Sequence, residues 1–193
     1  VAITPKILAF AGSARRGSWN KKLVRIAAAG ARAQGIEVTL IELEDYPLSI
    51  FNQDDEAQSG LPANGRKLKD LFISHQGFLI SSPEYNSSIS ALLKNTIDWV
   101  SRPAAGEGPL AGFADKTAVV MSASPGALGG LRGLVHLRSI LGNIGTLVLP
   151  GTFSISKAHE AFGEDGTLKD GRQQATVEKL GVDLATFLLK LHR

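Results

Sequence analysis

Two spacings of apolar residues alternate along the chain. Ile7 to Ala11 is a short apolar run that reads as a buried strand, and Gly12 ends it. A small-polar loop follows, and a helix begins around Trp19 or Asn20. Within residues 20–34, Leu23, Ile26, Ala27 and Ala31 recur at helical spacing, with Lys21, Lys22, Arg25 and Arg32 mostly outside that stripe. Gly30 lies on or beside the stripe and costs about 1 kcal/mol of helix propensity against alanine. It marks a close approach to the sheet or is simply tolerated. Gly35 closes the helix. EVTLIEL (37–43) is the next strand, which makes a βαβ unit with a right-handed crossover and parallel strands.

Residues 44–62 lose all period and read as a long loop. A helix returns at roughly 63–74 with Leu68, Leu71 and Phe72 inward. GFLISS (77–82) is the third strand, TAVVMSA (117–123) the fourth and TLVLP (146–150) the fifth. Leu92, Leu93 and Ile97 belong to a helix after the third strand. Residues 131–141 form another, and 171–190 a closing one with Val177, Leu180, Leu184 and Leu188 on one face. Strands alternating with helices predict one α/β domain over 1–193, since 193 residues fill one substantial core and are awkward for two.

Composition narrows the classes. Without cysteine there are no disulfides, thiolate nucleophiles or Cys-held metals. The formal charge is +3, but opposite charges are interspersed, with no Lys/Arg block, and aromatics are sparse; no nucleic-acid partner is expected. VAITPKILAFAG has no long apolar region or cleavage-like flank. No stretch reaches the eighteen or so apolar residues of a membrane span, so a cytoplasmic protein without membrane insertion is expected. Asp54, Asp55 and Glu56 read as a solvated loop, and no metal site is predicted.

Ligands of such sheets sit beyond the carboxyl ends of the strands, where three loops meet these criteria: 12–20, 82–88 and 122–130. The first combines a strand end, a Gly/Ser turn and a helix N-terminus, an arrangement that aims N–H groups and the helix dipole at one anion. Ser13 and Ser18 add hydroxyls, Asn20 an amide, and Arg15 or Arg16 a charge. Gly12 and Gly17 have the spacing of a Walker A loop, but Ser18 stands at its lysine and Trp19 at its Ser/Thr. G-x-G-x-x-G is absent too, so a phosphate monoester fits best. The second loop brings Pro83, Glu84, Tyr85 and Asn86 to the sheet edge, a mixture suited to a flat heteroaromatic ligand. Asn86 or Ser87 could instead cap the following helix. In the third, Ser122, Ser124, Gly126 and further glycines leave backbone open to close approach.

With GSARRGSWN (12–20), YPLSIFNQD (46–54), SPEYNSSISALLKNTIDWVSRP (82–103) and SASPGALGGLRGLVHLRSIL (122–141) in order, the sequence resembles the NAD(P)H-dependent FMN reductase family of flavodoxin-like proteins, in the branch of bacterial quinone and chromate reductases. The resemblance implies a three-layer α/β/α sandwich with a five-stranded parallel sheet of order 2-1-3-4-5, and non-covalent FMN. It implies that Ser13, Arg15, Ser18 and Asn20 surround the FMN phosphate. Pro83, Glu84, Tyr85 and Asn86 would line the isoalloxazine and ribityl region, with Ser122, Ser124 and Gly126 closing the other side. Ser87 departs from the second aromatic frequent in this pattern, and Ser90 from its proline.

The implied activity is hydride transfer from NADPH or NADH to flavin N5, then electrons to quinones, chromate, azo compounds or free flavin; no side chain need be catalytic. Dimers or tetramers are implied, with segments 85–105 and 155–168, and Trp19, as contact candidates. Trp99 reads as core or interface. Arg102 would draw dinucleotide phosphates or pair across a subunit boundary. The alternative is a non-enzymatic flavodoxin-like electron carrier or redox sensor. The net basic charge runs against the acidic docking face of such carriers. The absent Walker lysine runs against a nucleotide hydrolase.

Overall fold

Apolar side chains on both faces of the central strands force helices onto both sides of the sheet. In the computed structural model, which describes residues 4–192, β1 (Lys6–Ala11) sends Ile7, Ala9 and Ala11 into one core and Leu8 and Phe10 into the other. The first core is completed by α1 (Trp19–Arg32) and α7 (Gly171–Leu191). The second is completed by α3 (Ala63–Ser74), α4 (Ala91–Val100) and α5 (Leu131–Asn143), with Phe10, Phe72, Phe78 and Phe113 packed ring against ring.

The remaining sheet strands are β2 (Glu37–Glu42), β3 (Gly77–Ser81), β6 (Thr117–Ala123) and β7 (Leu147–Ile155). Their order is β2-β1-β3-β6-β7, all parallel. Counted among the strands of this sheet alone, that is the expected 2-1-3-4-5. The order reverses between β1 and β3, which places the crevice over the carboxyl ends of β1, β3 and β6.

The differences from the sequence reading have local causes. A separate hairpin, β4 (Glu84–Tyr85) and β5 (Ser88–Ile89), occupies the loop after β3. Its two turn residues, Asn86 and Ser87, both have positive φ, 49° and 66°, as a tight hairpin turn demands. They therefore do not cap α4; Ser90 does. The 44–62 stretch contains a 3₁₀ turn at Leu43–Asp45 and an exposed helix, α2 (Gln53–Ser59), opened by Asn52. Asp54, Asp55 and Glu56 lie in the first turn of α2, favourable to its dipole. β7 runs past Pro150 through an irregularity at the sheet edge, where a missing N–H costs little. Arg138 satisfies the exposed carbonyls there, donating to Leu149 at 2.8 Å and Val148 at 3.3 Å. α6 (Ala158–Ala161) adds one short turn.

Gly30 approaches a helix rather than the sheet. A Cβ on it would lie 2.1 Å from the Glu178 carbonyl oxygen of α7, and one on Gly181 would lie 1.8 Å from that of Ala27. The two glycines let the α1 and α7 backbones touch. Trp99 is core: it is buried, meets Phe51 edge-on and donates Nε1–H to Ser49 O at 2.8 Å. Arg102 lies over Phe51 and donates to Asp98 O at 3.0 Å. No helix among the described residues is long and apolar enough to cross a membrane.

Candidate active site

The loop after β1 is fixed at its root. Gly12 N–H bonds Ser81 O at 2.9 Å, and a Cβ at Gly12 would meet Leu93 at 3.0 Å, so the loop lies flat against α4. Ser13 Oγ accepts from Arg15 N–H at 3.3 Å, and Ser18 N–H bonds Arg15 O at 3.1 Å, which closes the turn ahead of α1. Ser18 then occupies the N-cap in extended conformation, yet its hydroxyl makes no capping bond although the residue is buried. The first turn of α1 contains no acid, while Arg15, Arg16, Lys21 and Lys22 surround it. This is the reverse of what the dipole favours, unless an external anion is held there.

Lys21 is buried and neutralised: burial works against its charge, but Glu44 at 2.7 Å and Glu42 at 2.9 Å outweigh it and raise its pKa. Arg15 has no carboxylate partner among the described residues. It is exposed and stacks over Trp19, 4.8 Å from the ring centre.

Ser13, Arg15, Ser18 and Asn20 line one cavity of about 110 Å³ together with Pro83, Glu84, Tyr85 and Ser124. Two of the three loops expected to form a site thus meet the third at one crevice. Trp19, Ala123 and Pro125 also line it. Trp19 carried a signal as a large aromatic beside the cradle; nothing local marked Ala123. Asn86 and Gly126 stand outside this lining, at a hairpin turn and on an exposed loop. Ser122 lies deeper: it is fully buried, its Oγ has no hydrogen-bond partner, and a Cβ on left-handed Gly130 would sit 1.9 Å from that oxygen. Asn20 is placed at the cavity, but its amide is largely engaged by the protein itself.

Glu84 also has a task other than the one expected of it. One carboxylate oxygen accepts from Arg132 Nε and Nη2, at 3.0 and 2.8 Å, and the other from Gly133 N–H at 3.0 Å in the first turn of α5. Burial pushes its pKa up, but the Gly133 N–H and the Arg132 guanidinium outweigh this and hold it below the usual carboxylate range. His136 Nδ1 and Ser88 Oγ, 2.9 Å apart, make a second tie. The hairpin bearing Tyr85, itself well exposed, is therefore fastened to α5.

These residues fit a ligand with a phosphate at one end and a flat ring at the other. A serine hydroxyl with no capping bond, an acid-free helix N-terminus and an arginine with no carboxylate partner among the described residues share one lining with Pro83, Tyr85, Ser124 and Pro125. A wider cavity of about 420 Å³ lies against α1 and the 164–167 turn, but its lining mixes Lys22 and Arg25 with Glu164 and Asp165. No group of three or more metal-ligating side chains is assembled among the described residues.

Residues 5–160 match the family described as NADPH-dependent FMN reductase. The chain belongs to that family. It is accordingly an oxidoreductase with a flavodoxin-like fold that uses FMN and a reduced nicotinamide. The chain is 35% identical over 192 residues to the probable NADPH:quinone oxidoreductase 2 of Oryza sativa subsp. japonica, covering 96% of this chain and 90% of the relative. It is 32% identical over 176 residues to an NAD(P)H-dependent FMN reductase of Pseudomonas aeruginosa, covering 90% of each. Among solved structures, the flavoenzyme NAD(P)H:(acceptor) oxidoreductase FerB from Paracoccus denitrificans superposes with a TM-score of 0.80 at 26% identity, covering 97% of this chain and 98% of that one.

Proposed function

We propose that this chain works as a single FMN-binding domain over residues 1–193 that oxidises NADPH or NADH and reduces small electron acceptors: quinones, azo compounds, free flavin or chromate. The observation that carries this reading is Ser18. The residue is buried, yet its hydroxyl leaves its own helix uncapped at an acid-free N-terminus, in a cavity it shares with Pro83, Glu84 and Tyr85. Ser13, Arg15 and Ser18 would hold the phosphate, and Arg15 would leave its stack on Trp19 to do so. Pro83 and Tyr85 would flank the ring on one side and Ser124 and Pro125 on the other. The orphaned Ser122 hydroxyl beneath Gly130 would be a donor available to that end. Bound FMN supplies the two-electron chemistry. The chain's part is to bind, orient and exclude water, so no side chain is assigned a proton transfer.

Exposed Tyr85 at the cavity, with exposed Leu128 before α5 and exposed Leu131 and Val135 on it, supports a homo-oligomer, dimer or tetramer, in which a neighbour covers the site. A cytoplasmic location without nucleic-acid or membrane partners accords with the interspersed charge. The test is anaerobic: FMN-loaded protein is mixed with NADPH or NADH and the flavin absorbance is followed, then a panel of quinones and chromate is added. Bleaching by at least one nicotinamide and recovery on an acceptor are expected. Flavin that stays oxidised with both refutes the reading.

A further inference from the structure

The last backbone bond between β3 and β6 runs from Ser82 N–H to Met121 O, at 2.9 Å. A parallel ladder would next pair the N–H and C=O of Ala123 with the continuation of β3. That continuation does not exist, because the chain turns away at Pro83 into the β4–β5 hairpin. Ala123 is the final residue of β6 and lies at the edge of the cavity, where unpaired backbone groups are costly.

The side chain of Asn20 takes the missing strand's place. Its Nδ2 donates to Ala123 O at 2.9 Å and its Oδ1 accepts from Ala123 N–H at 3.0 Å, so the amide pairs with both groups of one peptide residue as a neighbouring strand would. The same Oδ1 accepts from the Ser81 hydroxyl at 2.8 Å, at the end of β3. Asn20 itself is the second residue of α1 and is buried. One amide therefore ties together the start of α1 and the ends of β3 and β6, the three elements whose loops enclose the cavity. Its oxygen is filled by two donors, and a single amide hydrogen remains beyond these bonds.

We propose that Asn20 is a positioning residue, whose side chain sets the spacing between the loop after β1 and the loop after β6 and so the width of the slot for the flat ring. The phosphate is left to Ser13, Ser18 and Arg15. This rests on the FMN reading above.

The two roles separate by ligand. Riboflavin carries the ring without the phosphate, so a phosphate contact affects FMN alone, whereas slot geometry affects both. Ligand-free full-length protein would be titrated with FMN and with riboflavin, following quenching of flavin fluorescence. Asn20→Ala is expected to weaken both by a similar factor, about tenfold, leaving the ratio of the two affinities within about twofold of the parent. Arg15→Ala is the control and should lower that ratio. Loss of FMN affinity with riboflavin unaffected in Asn20→Ala overturns the assignment, and so does no loss of either. Should Asn20→Ala not fold, Ser81→Ala removes one of the three bonds without touching the cavity lining; it is expected to weaken both flavins about threefold. Unchanged affinities in Ser81→Ala would then overturn the assignment. A parent chain that takes up neither flavin overturns the FMN reading and this assignment with it; selective loss of FMN overturns the assignment alone.

Discussion

Two helices start at the ligand edge of the sheet with a serine in nearly the same conformation, and they use it in opposite ways. Ser90, at φ −68° and ψ 151°, caps α4 by accepting from Leu93 N–H at 3.1 Å and donates to Gly12 O at 2.6 Å. Ser18, at φ −68° and ψ 126°, makes no capping bond at the start of α1. A serine in this position ordinarily contributes about 1 kcal/mol through its cap. At α4 that capacity is spent on the fold, joining the first loop to the helix after the second. At α1 it is withheld, and the withheld hydroxyl faces a cavity. Unspent hydrogen-bonding capacity in a buried residue is thus what sets Ser18 apart from Ser90, and under the proposed function it is what the phosphate would take up. A third start sharpens the point: α5 has Gly130 at its N-cap and receives its anion from Glu84, across the hairpin.

The largest effect on stability is expected where a charge is spent. Glu84→Gln weakens the contacts to Arg132 and Gly133 and should cost about 2 kcal/mol near pH 7, read by urea unfolding. Because the folded-state pKa of Glu84 is lowered, its stabilisation is present above the ordinary carboxylate value of roughly 4.3 and is lost as pH falls through the folded value. The gap between parent and variant should therefore be full at pH 6 and close as the solution is acidified below pH ~4. A gap that persists unchanged into strong acid would detach the tie from the carboxylate's charge.

Next comes Ser90→Ala, which loses the cap and the bond to Gly12 together and should cost about 1.5 kcal/mol. Ser18→Asp should move stability the other way, adding about 0.5 kcal/mol to the ligand-free protein by complementing the helix dipole, while lowering FMN affinity at least a hundredfold through repulsion of the phosphate. Thermal unfolding and flavin titration on the same preparation read both. The smallest effect on stability belongs to Ser18→Ala, below about 0.5 kcal/mol, because no cap is lost. If Ser18→Ala proved as costly as Ser90→Ala, the contrast between the two serines would collapse.

Local pattern accounts for much of what the chain displays. The alternation of apolar runs with helical stripes is dictated by which side chains must leave water, and it set α1, α3, β3, β6 and α7 close to their observed bounds. The Gly/Ser turn before Trp19 likewise reads as a candidate anion cradle from residue types alone. Elements too short to have a period of their own escaped that reading: the two-residue strands β4 and β5, the four-residue α6 and the seven-residue α2, which has no buried residue.

What only the tertiary structure decided is where each polar group spends its hydrogen bonds. Asn20, Glu84, Ser18 and Ser90 are all polar residues beside the site, and sequence gives no means of telling them apart. Asn20 meets Ala123 across 103 positions and Glu84 meets Gly133 across 49, so their partners depend on strand order and loop direction. Gly30 and Gly181 show the same limit among small residues, since only the crossing of α1 and α7 reveals what a Cβ would strike. Burial is a property that side-chain chemistry imposes locally, whereas a hydrogen bond needs two groups to be brought within about 3 Å, and it is the folded chain that brings them there.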